Sequence, residues 1–229
     1  MPEPSKESQT ARAAQAERTA FTENAILDAA EAVFARRGLE GTRVREIAEA
    51  AGVNGATLYN YYASKSALYE AVLDRGVRPL ITLMEAYAAG PRERESTRAL
   101  VAQVMVHLSQ HPHLSRLIYL EAMAEGDYLS TLSKTWFRPL VSQILRELQD
   151  GAVPPELGEG LHPLVAALFL HLTFGHFALA PLLQEIFDVD PLSAAGVEQQ
   201  TRFIDTLLVQ MFPQLTRDRG DGSGGGDVG

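Results

Sequence analysis

The chain has 229 residues, which is long enough to bury a hydrophobic core without covalent cross-links. It contains no cysteine, so a disulfide framework, a thiolate zinc site and a cysteine nucleophile are excluded. The net charge of −9 argues against a surface that binds nucleic acid all round, because phosphates attract positive charge. The acidity is concentrated after Arg78, where eighteen Asp or Glu oppose ten Lys or Arg, so the composition still allows a locally basic face before that point.

Residues 1–20 are rich in Ala, Glu, Gln, Ser and Thr and contain almost no large apolar side chain. We expect a disordered arm, because so little surface can be buried. Arg12 and Arg18 could reach a DNA groove from such an arm, although a solvated tail fits the composition better. An amphipathic helix follows at 22–37, with Thr22 as its cap and Gly38 at its end.

Residues 44–65 carry the most informative pattern in the chain. Apolar residues repeat at helical spacing up to Ala51, and Gly52 then ends the pattern. Asn54 is a good N-cap residue, and about two turns of a second helix follow it. Two short helices joined by a glycine-containing turn have the spacing of a helix-turn-helix motif.

The second helix of this motif has two different faces. Leu58 and Tyr62, four residues apart, can pack against the preceding helix, which leaves an open side. Hydroxyl, amide and methyl groups suit base edges, and phenol rings suit sugar and phosphate. We therefore predict that the open side contacts DNA, with Asn54 at its start and then Thr57, Tyr59, Asn60 and Tyr61. A plain helical hairpin with exposed tyrosines is the alternative.

Cations flank the motif at two helix starts. Thr42 and Arg43 precede its first helix, where free backbone N–H groups and a hydroxyl can hold a phosphate. Ser64 can cap a further helix from Lys65, so the lysine and the free N–H groups both favour phosphate. Arg45 adds another cation. We expect Thr42, Arg43, Arg45 and Lys65 to border the DNA-binding face.

Three stretches, in order and without gaps within residues 25–72, carry a family resemblance: I-L-D-A-A-E-A-V-F-A-R-R-G, T-R-V-R-E-I-A-E-A-A-G-V and T-L-Y-N-Y-Y-A-S-K-S-A-L. They resemble the DNA-binding domain of TetR-type transcriptional regulators. The chain departs from that pattern in two places. Asn54 stands where the family usually has Ser, and Gly55-Ala56 stand where it often has a basic or polar residue followed by Gly.

The resemblance implies an all-α fold. A three-helix helix-turn-helix domain is expected at 21–66, and a larger helical ligand-sensing and dimerisation domain at 67–215. A disordered arm at 1–20 and a disordered Gly-rich tail at 216–229 flank them. The implied function is that of a repressor, a homodimer released from double-stranded operator DNA by a small, largely apolar effector. No cofactor is implied, and the polar N-terminus and interrupted apolar runs predict a cytoplasmic protein with no membrane partner.

Helical patterns continue to the end of the chain, with no alternating strand pattern in the sequence. We expect the helix from Lys65 to run toward Tyr87, with a kink or break at Pro79. Further helices are predicted at 100–108, 114–124 and 128–148, and loops at 111–112, 125–127 and 151–160. Two long helices are predicted at 163–187, bent at Pro181, and at 191–212, with Pro191 in its first turn.

The predicted helix at 163–187 is apolar nearly all round, and the helix at 191–212 carries an apolar stripe. Such surfaces need cover on several sides, and a two-fold contact between two copies of the chain supplies it. We expect these segments to form the homodimer interface, with Leu207 and Leu208 inside it. The resemblance implies the same four-helix contact.

All six histidines lie in the second part of the chain. His107 and His111 have the spacing of two metal ligands on a helix, but no acidic partner follows at ligand spacing, and we predict no metal site. His171 and His176 are interpreted either as hydrogen-bonded interior residues or as ligand anchors. The sequence contains no nucleophile elbow, phosphate loop or catalytic carboxylate pair, so we do not expect an enzyme.

A ligand-sensing domain implies a mostly apolar cavity with a few polar anchors. The candidate residues are Tyr119, Met123, Trp136, Phe137, Phe174 and Phe177 for the walls, with His107, His171 and His176 as anchors. Each of them could equally be an ordinary core residue. A helical protein-interaction scaffold without an operator is the alternative to a regulator, and salt-dependent binding to a palindromic duplex separates the two.

Overall fold

A computed structural model describes residues 6–90, 94–124, 128–147 and 162–211. Within these ranges all regular structure is helical, as predicted. The helices are α1 Lys6–Gly41, α2 Val44–Ala50, α3 Gly55–Tyr61, α4 Lys65–Ala89, α5 Arg94–Gln110, α6 Pro112–Ala124, α7 Leu129–Leu132, α8 Arg138–Glu147, α9 His162–Ala178, α10 Ala180–Phe187 and α11 Ala194–Met211. A π-helical turn at Ser133–Phe137 joins α7 to α8. The predicted loops at 125–127 and 151–160 and the predicted tail at 216–229 lie outside the described residues.

The chain divides into two compact units, Met1–Asp74 and Arg75–Gly229. The division falls within α4, further along the chain than the predicted boundary after residue 66. The first turns of α4 belong to the first unit because they complete its core, where the ring of Tyr69 meets Phe34 edge to face at 5.0 Å. This core contains side chains with no exposure from each of its four helices: Ile26, Phe34, Ile47, Leu58, Leu68 and Tyr69.

The first helix is longer than predicted, and the expectation of a disordered arm over residues 1–20 is wrong from Lys6 onward. Ala, Gln, Arg and Glu dominate this segment, and their high helix propensity can extend a helix that is already nucleated by the core. Thr22 is therefore not a cap, and its hydroxyl donates to the Arg18 carbonyl one turn earlier. The predicted end at Gly38 is confirmed, since Gly38 has a φ of 68° and lies outside helical geometry.

Prolines in the second unit have three different outcomes. α4 continues through Pro79 to Ala89, so the helix does not break there. Pro181 lies in the first turn of α10, and the predicted bend is confirmed, with 73° between α9 and α10 across Leu179. Pro191 is buried in a turn before α11, not in its first turn, and the Ser193 hydroxyl accepts from the Gly196 N–H at 3.1 Å.

None of the described helices is by itself long and apolar enough to cross a bilayer. The bent pair α9 and α10 meets the criteria of length and composition only when its two members are taken together.

Candidate nucleic-acid interface and effector region

The turn between α2 and α3 is closed by a glycine in the left-handed region. Gly52 has a φ of 68°, a conformation that costs a side-chain-bearing residue energy. The Gly52 N–H donates to the Glu49 carbonyl at 3.2 Å, and the Val53 N–H donates to the Ala48 carbonyl at 3.0 Å. This pair of bonds is a Schellman motif, which satisfies the last carbonyls of α2 and fixes the direction in which α3 begins.

The next helix, α3, has the buried and open sides that the sequence predicts. Asn54 caps it, with its side-chain oxygen accepting from the Thr57 N–H at 2.7 Å. Leu58 and Tyr62 are buried, whereas Tyr59 is 53% exposed and Asn60 is also exposed. Thr57 is half-buried. The amide, hydroxyl and phenol groups of the open side are therefore carried by a helix that is fixed at both ends.

Two residues predicted at the edge of this face are held inside the chain. Thr42 is only 3% exposed, and its hydroxyl donates to the Gly38 carbonyl at 2.7 Å, so that proton is not available to a phosphate. The Lys65 ammonium donates to the Leu39 carbonyl at 2.8 Å and to the Thr42 carbonyl at 3.2 Å. Lys65 thus closes the end of α1, and one of its three N–H donors remains for another partner.

Tyr61 differs from its neighbour Tyr59. It is half-buried, and its hydroxyl donates to the Thr19 carbonyl of α1 at 3.4 Å. The Tyr62 hydroxyl lies 3.3 Å from Glu23 Oε1, also on α1. The geometry therefore gives Tyr61 a positioning role and does not support it as a hydroxyl donor to DNA. Neither link to α1 was predicted. The sequence pattern indicated no helix as far back as Thr19, and it gave no pairing between Tyr62 and Glu23.

The arginines at the edge of the face differ in how far they are neutralised. Arg43 is exposed at the start of α2, where its backbone N–H donates to Glu46 Oε2. Arg45 forms an ion pair with Glu49 at 2.7 Å, one helical turn away, and the hydrogen bond and charge of Glu49 raise the Arg45 pKa further. An exposed pair of this kind is weak, so a phosphate can compete for Arg45.

In the second unit, one polar contact joins α6 to α9 among the residues predicted to bind an effector. Tyr119 Oη and His171 Nδ1 are hydrogen-bonded at 2.9 Å. Burial raises the Tyr119 pKa, so the phenol stays protonated over the ordinary pH range. A Cβ on Gly175 would lie 3.2 Å from the Tyr119 oxygen, so a glycine there lets the phenol approach α9. The role of Gly175 was not predicted and carries no sequence signal of its own.

Aromatic rings from the π-helical turn and α9 lie close together beside this region. Phe137 and Phe174 have ring centroids 5.7 Å apart, and Trp136, Phe174 and Phe177 are buried. A π-helical turn inside an α-helical segment, like the one at Ser133–Phe137, is frequently found at a functional site. The structure thus brings together predicted wall residues from two separate segments.

Three further effector candidates have other surroundings. His107 donates through Nε2 to the Gly76 carbonyl at 2.7 Å, and His176 donates through Nε2 to the Pro191 carbonyl at 2.8 Å. Both imidazoles therefore tie elements of the second unit together. Met123 is 71% exposed at the end of α6, which does not support it as a cavity wall.

The His107 and His111 rings lie with centroids 4.8 Å apart. Within the part of the chain that the structure describes, no group of three or more His, Asp or Glu side chains could hold a metal ion.

Two family models match the chain. The one described as bacterial regulatory proteins of the tetR family matches residues 26–72, and the one described as a tetracyclin repressor-like C-terminal domain matches residues 94–207. The chain belongs to the TetR family. The resemblance to TetR-type regulators is thereby confirmed. The expectation that the chain is not an enzyme is confirmed as well, because the family and the relatives are transcriptional regulators.

Relatives and a solved structure agree with this TetR-family assignment. The chain is 33% identical over 134 residues to the transcriptional repressor KstR2 of Rhodococcus jostii. The match covers 56% of this chain and 65% of KstR2. It is 37% identical over 110 residues to the transcriptional regulator RutR of Escherichia coli, and the match covers 46% of this chain and 50% of RutR. The chain thus spans between half and two thirds of these relatives. A TetR-like transcriptional regulator from Rhodococcus sp. RHA1 shares the fold, with a TM-score of 0.59 at 19% identity over 82% of this chain and 94% of the other.

Proposed function

We propose that this TetR-family chain is a sequence-specific regulator that reads double-stranded operator DNA with the open side of α3. The supporting observation is the capped helix that buries Leu58 and leaves Tyr59 and Asn60 exposed and Thr57 half-buried. A helix of this width fits the major groove, where threonine and asparagine can contact base edges and tyrosine can contact the backbone. Arg43, Arg45 and the remaining donor of Lys65 supply phosphate contacts at the edge of this face.

The proposal includes repression and its release by a small molecule. Relatives of this chain are named transcriptional repressors, among them KstR2. The buried rings of Trp136, Phe174 and Phe177 would face an apolar effector, and the hydrogen-bonded pair Tyr119 and His171 would orient its polar group. Such an effector changes DNA affinity only by binding the two forms of the protein unequally.

A homodimer completes the proposal. Large apolar side chains remain exposed on α10 and α11, among them Ile186, Phe187 and Phe203. Exposed large apolar side chains of this kind are typical of a protein interface, and a two-fold contact would cover them on both copies. Two copies would present two α3 helices to a palindromic site. The protein would then act where the chromosome is, which is the basis for proposing a cytoplasmic location.

Selection of bound duplexes from a random pool tests DNA reading. The proposal expects a palindromic consensus, with binding that weakens steeply as salt rises. A variant with Thr57→Ala and Tyr59→Ala should recover no consensus, while Val106→Ala, an exposed change on α5, should recover the wild-type one. Recovery of no consensus by the wild-type protein would favour a protein-interaction scaffold.

Calorimetry tests effector release once a compound that abolishes the complex has been found by screening. Binding of the compound and binding of the operator are thermodynamically linked. Operator DNA must therefore weaken compound binding by the same factor as the compound weakens DNA binding. Replacement of His171 by Ala should weaken compound binding, since it removes the partner of Tyr119. Equal compound affinity with and without operator would contradict release by that compound.

A further inference from the structure

Residues 12–20 of α1 are helical although none of them is buried in a core. Every residue at 12–20 is exposed, while α1 continues without a break in helical geometry from Lys6 to Gly38. Helix propensity explains why this extension is helical, but it does not explain what the extension contacts. We call residues 6–20 the N-terminal extension.

The end of α3 holds the extension beside the DNA-reading helix. The Tyr61 hydroxyl donates to the Thr19 carbonyl, and the Tyr62 hydroxyl lies within hydrogen-bonding distance of Glu23. Tyr61 and Tyr62 are the last residue of α3 and its C-cap. When α3 lies in a major groove, its end lies near the backbone that borders the groove, so an element attached there lies near flanking phosphates.

Helical register then locates the arginines of the extension. Arg12 precedes Thr19 by seven residues, or two turns, so it lies on the same side of α1 and about 10 Å further along the axis. Arg18 precedes Thr19 directly and lies about a quarter turn round the helix. Both side chains are exposed.

The charges of these arginines are not neutralised by their helical neighbours. The residues three and four positions from Arg12 are Ser8, Gln9, Gln15 and Ala16, and those around Arg18 are Ala14, Gln15, Phe21 and Thr22. None of them is acidic, so neither arginine has a partner at the spacing of a helical ion pair. By contrast, Arg45 pairs with Glu49 and Arg37 pairs with Glu46.

We propose that the N-terminal extension lengthens the DNA contact beyond the base pairs read by α3, with Arg12 and Arg18 binding phosphates that flank each half-site. The inference rests on the proposed function, because it needs α3 in a groove. A phosphate contact of this kind adds affinity and fixes position without reading sequence. It also supplies positive charge to a face where Lys65 and Arg45 are already engaged.

Binding to two duplexes tests this inference. The short duplex ends at the outermost base pairs selected from the random pool, and the long duplex carries about ten further base pairs on each side, one helical turn. On the long duplex, Arg12→Ala and Arg18→Ala should each reduce the slope of log affinity against log salt by about 0.9 per bound subunit. On the short duplex, both variants should match the wild-type protein. Alanine keeps the helix, and Arg12→Lys should retain the slope.

Arg116→Ala, an exposed arginine of α6, is the matched control and should change neither slope. Unchanged slopes on the long duplex in the double variant, with wild-type binding intact, would overturn this inference and leave the proposed function standing. A flank preference in the selected pool that the double variant loses would overturn the phosphate assignment in favour of base reading. Failure of the wild-type protein to bind any duplex would overturn both proposals.

Discussion

Lys65 stabilises the fold, and we propose that the same side chain also binds DNA. Its ammonium bridges the carbonyls of Leu39 and Thr42, which lie just after the break in α1 at Gly38. Carbonyls at the end of a helix have no partner within it, so a cation placed there satisfies them. This clamp holds the lysine at the start of α4, and we propose that its remaining N–H donor binds a phosphate there.

We therefore expect Lys65→Met to have two effects. The free energy of unfolding should fall by about 1–3 kcal/mol, because two carbonyls lose a charged donor. The slope of log DNA affinity against log salt should fall by about one. Lys134→Met, an exposed change in the π-helical turn, should alter neither quantity. A stability equal to wild type in thermal unfolding would contradict the clamp, and an unchanged slope would contradict the phosphate contact.

Replacement of Tyr59 on α3 can test the proposed DNA contact without disturbing the fold. It is half exposed and caps nothing, so Tyr59→Ala should leave the melting temperature unchanged. Its loss should cost about 1–3 kcal/mol of DNA affinity, and Tyr59→Phe would show how much of that belongs to the hydroxyl. Phe21→Ala, an exposed aromatic of the same unit on the side of α1 away from Thr19, should bind DNA like the wild-type protein. Full affinity in Tyr59→Ala, measured by fluorescence anisotropy, would exclude the contact.

At the scale of elements, patterns that depend on neighbouring residues were predictable from sequence. The Gly38 and Gly52 ends, the Asn54 cap and the two sides of α3 all follow from local periodicity and capping chemistry. Contacts made across the fold were not predictable. The residues near Lys65 in sequence do not indicate that its ammonium donates to the Leu39 carbonyl. The Ala-rich segment around Thr19 likewise does not indicate that the Tyr61 hydroxyl donates to the Thr19 carbonyl.

His176 joins α9 to the turn before α11 through its bond to the Pro191 carbonyl, and we expect its burial to make the stability of the second unit sensitive to pH. Burial lowers the His176 pKa, and the bond to the carbonyl opposes this only in part. The unfolded chain then takes up a proton that the folded chain resists, so the free energy of unfolding falls as pH drops through about 6.5, the unfolded value.

The melting temperature should therefore fall between about pH 7.5 and pH 5.5, and less steeply in His176→Gln, whose amide can still donate to Pro191. The control is Val106→Ala, an exposed change on α5 that removes no titratable group, and it should keep the wild-type pH dependence. Identical pH profiles for wild type and His176→Gln in calorimetry would show that His176 does not carry the effect.

At the scale of the whole molecule, the distribution of apolar surface points to association. Leu208 was predicted inside the dimer interface, but it is 9% exposed in the single chain, and Leu207 is only half-buried. Burial of Leu208 within its own chain means that an arginine there would disturb folding before it disturbed assembly. Ile186 on α10 and Phe203 on α11 are 59% and 51% exposed and are sharper probes.

Ile186→Arg and Phe203→Arg should each give monomers in sedimentation. Each change introduces one charge from each copy into an apolar two-fold contact, where burial of an unpaired charge is unfavourable. Val106→Arg, an equally exposed change on α5, should leave the oligomeric state unchanged. A double variant of Ile186 and Phe203 that sediments as a dimer would place the interface elsewhere.

Sequence reading by the open side of α3 can be measured as the ratio of two dissociation constants. The wild-type protein is titrated at one salt concentration with its selected palindromic duplex and with a scrambled duplex of equal length and composition. The selected duplex should bind at least about 10³-fold more tightly than the scrambled one, and Thr57→Ala combined with Tyr59→Ala should remove most of this ratio. Equal affinity of the wild-type protein for the two duplexes would contradict sequence reading by α3.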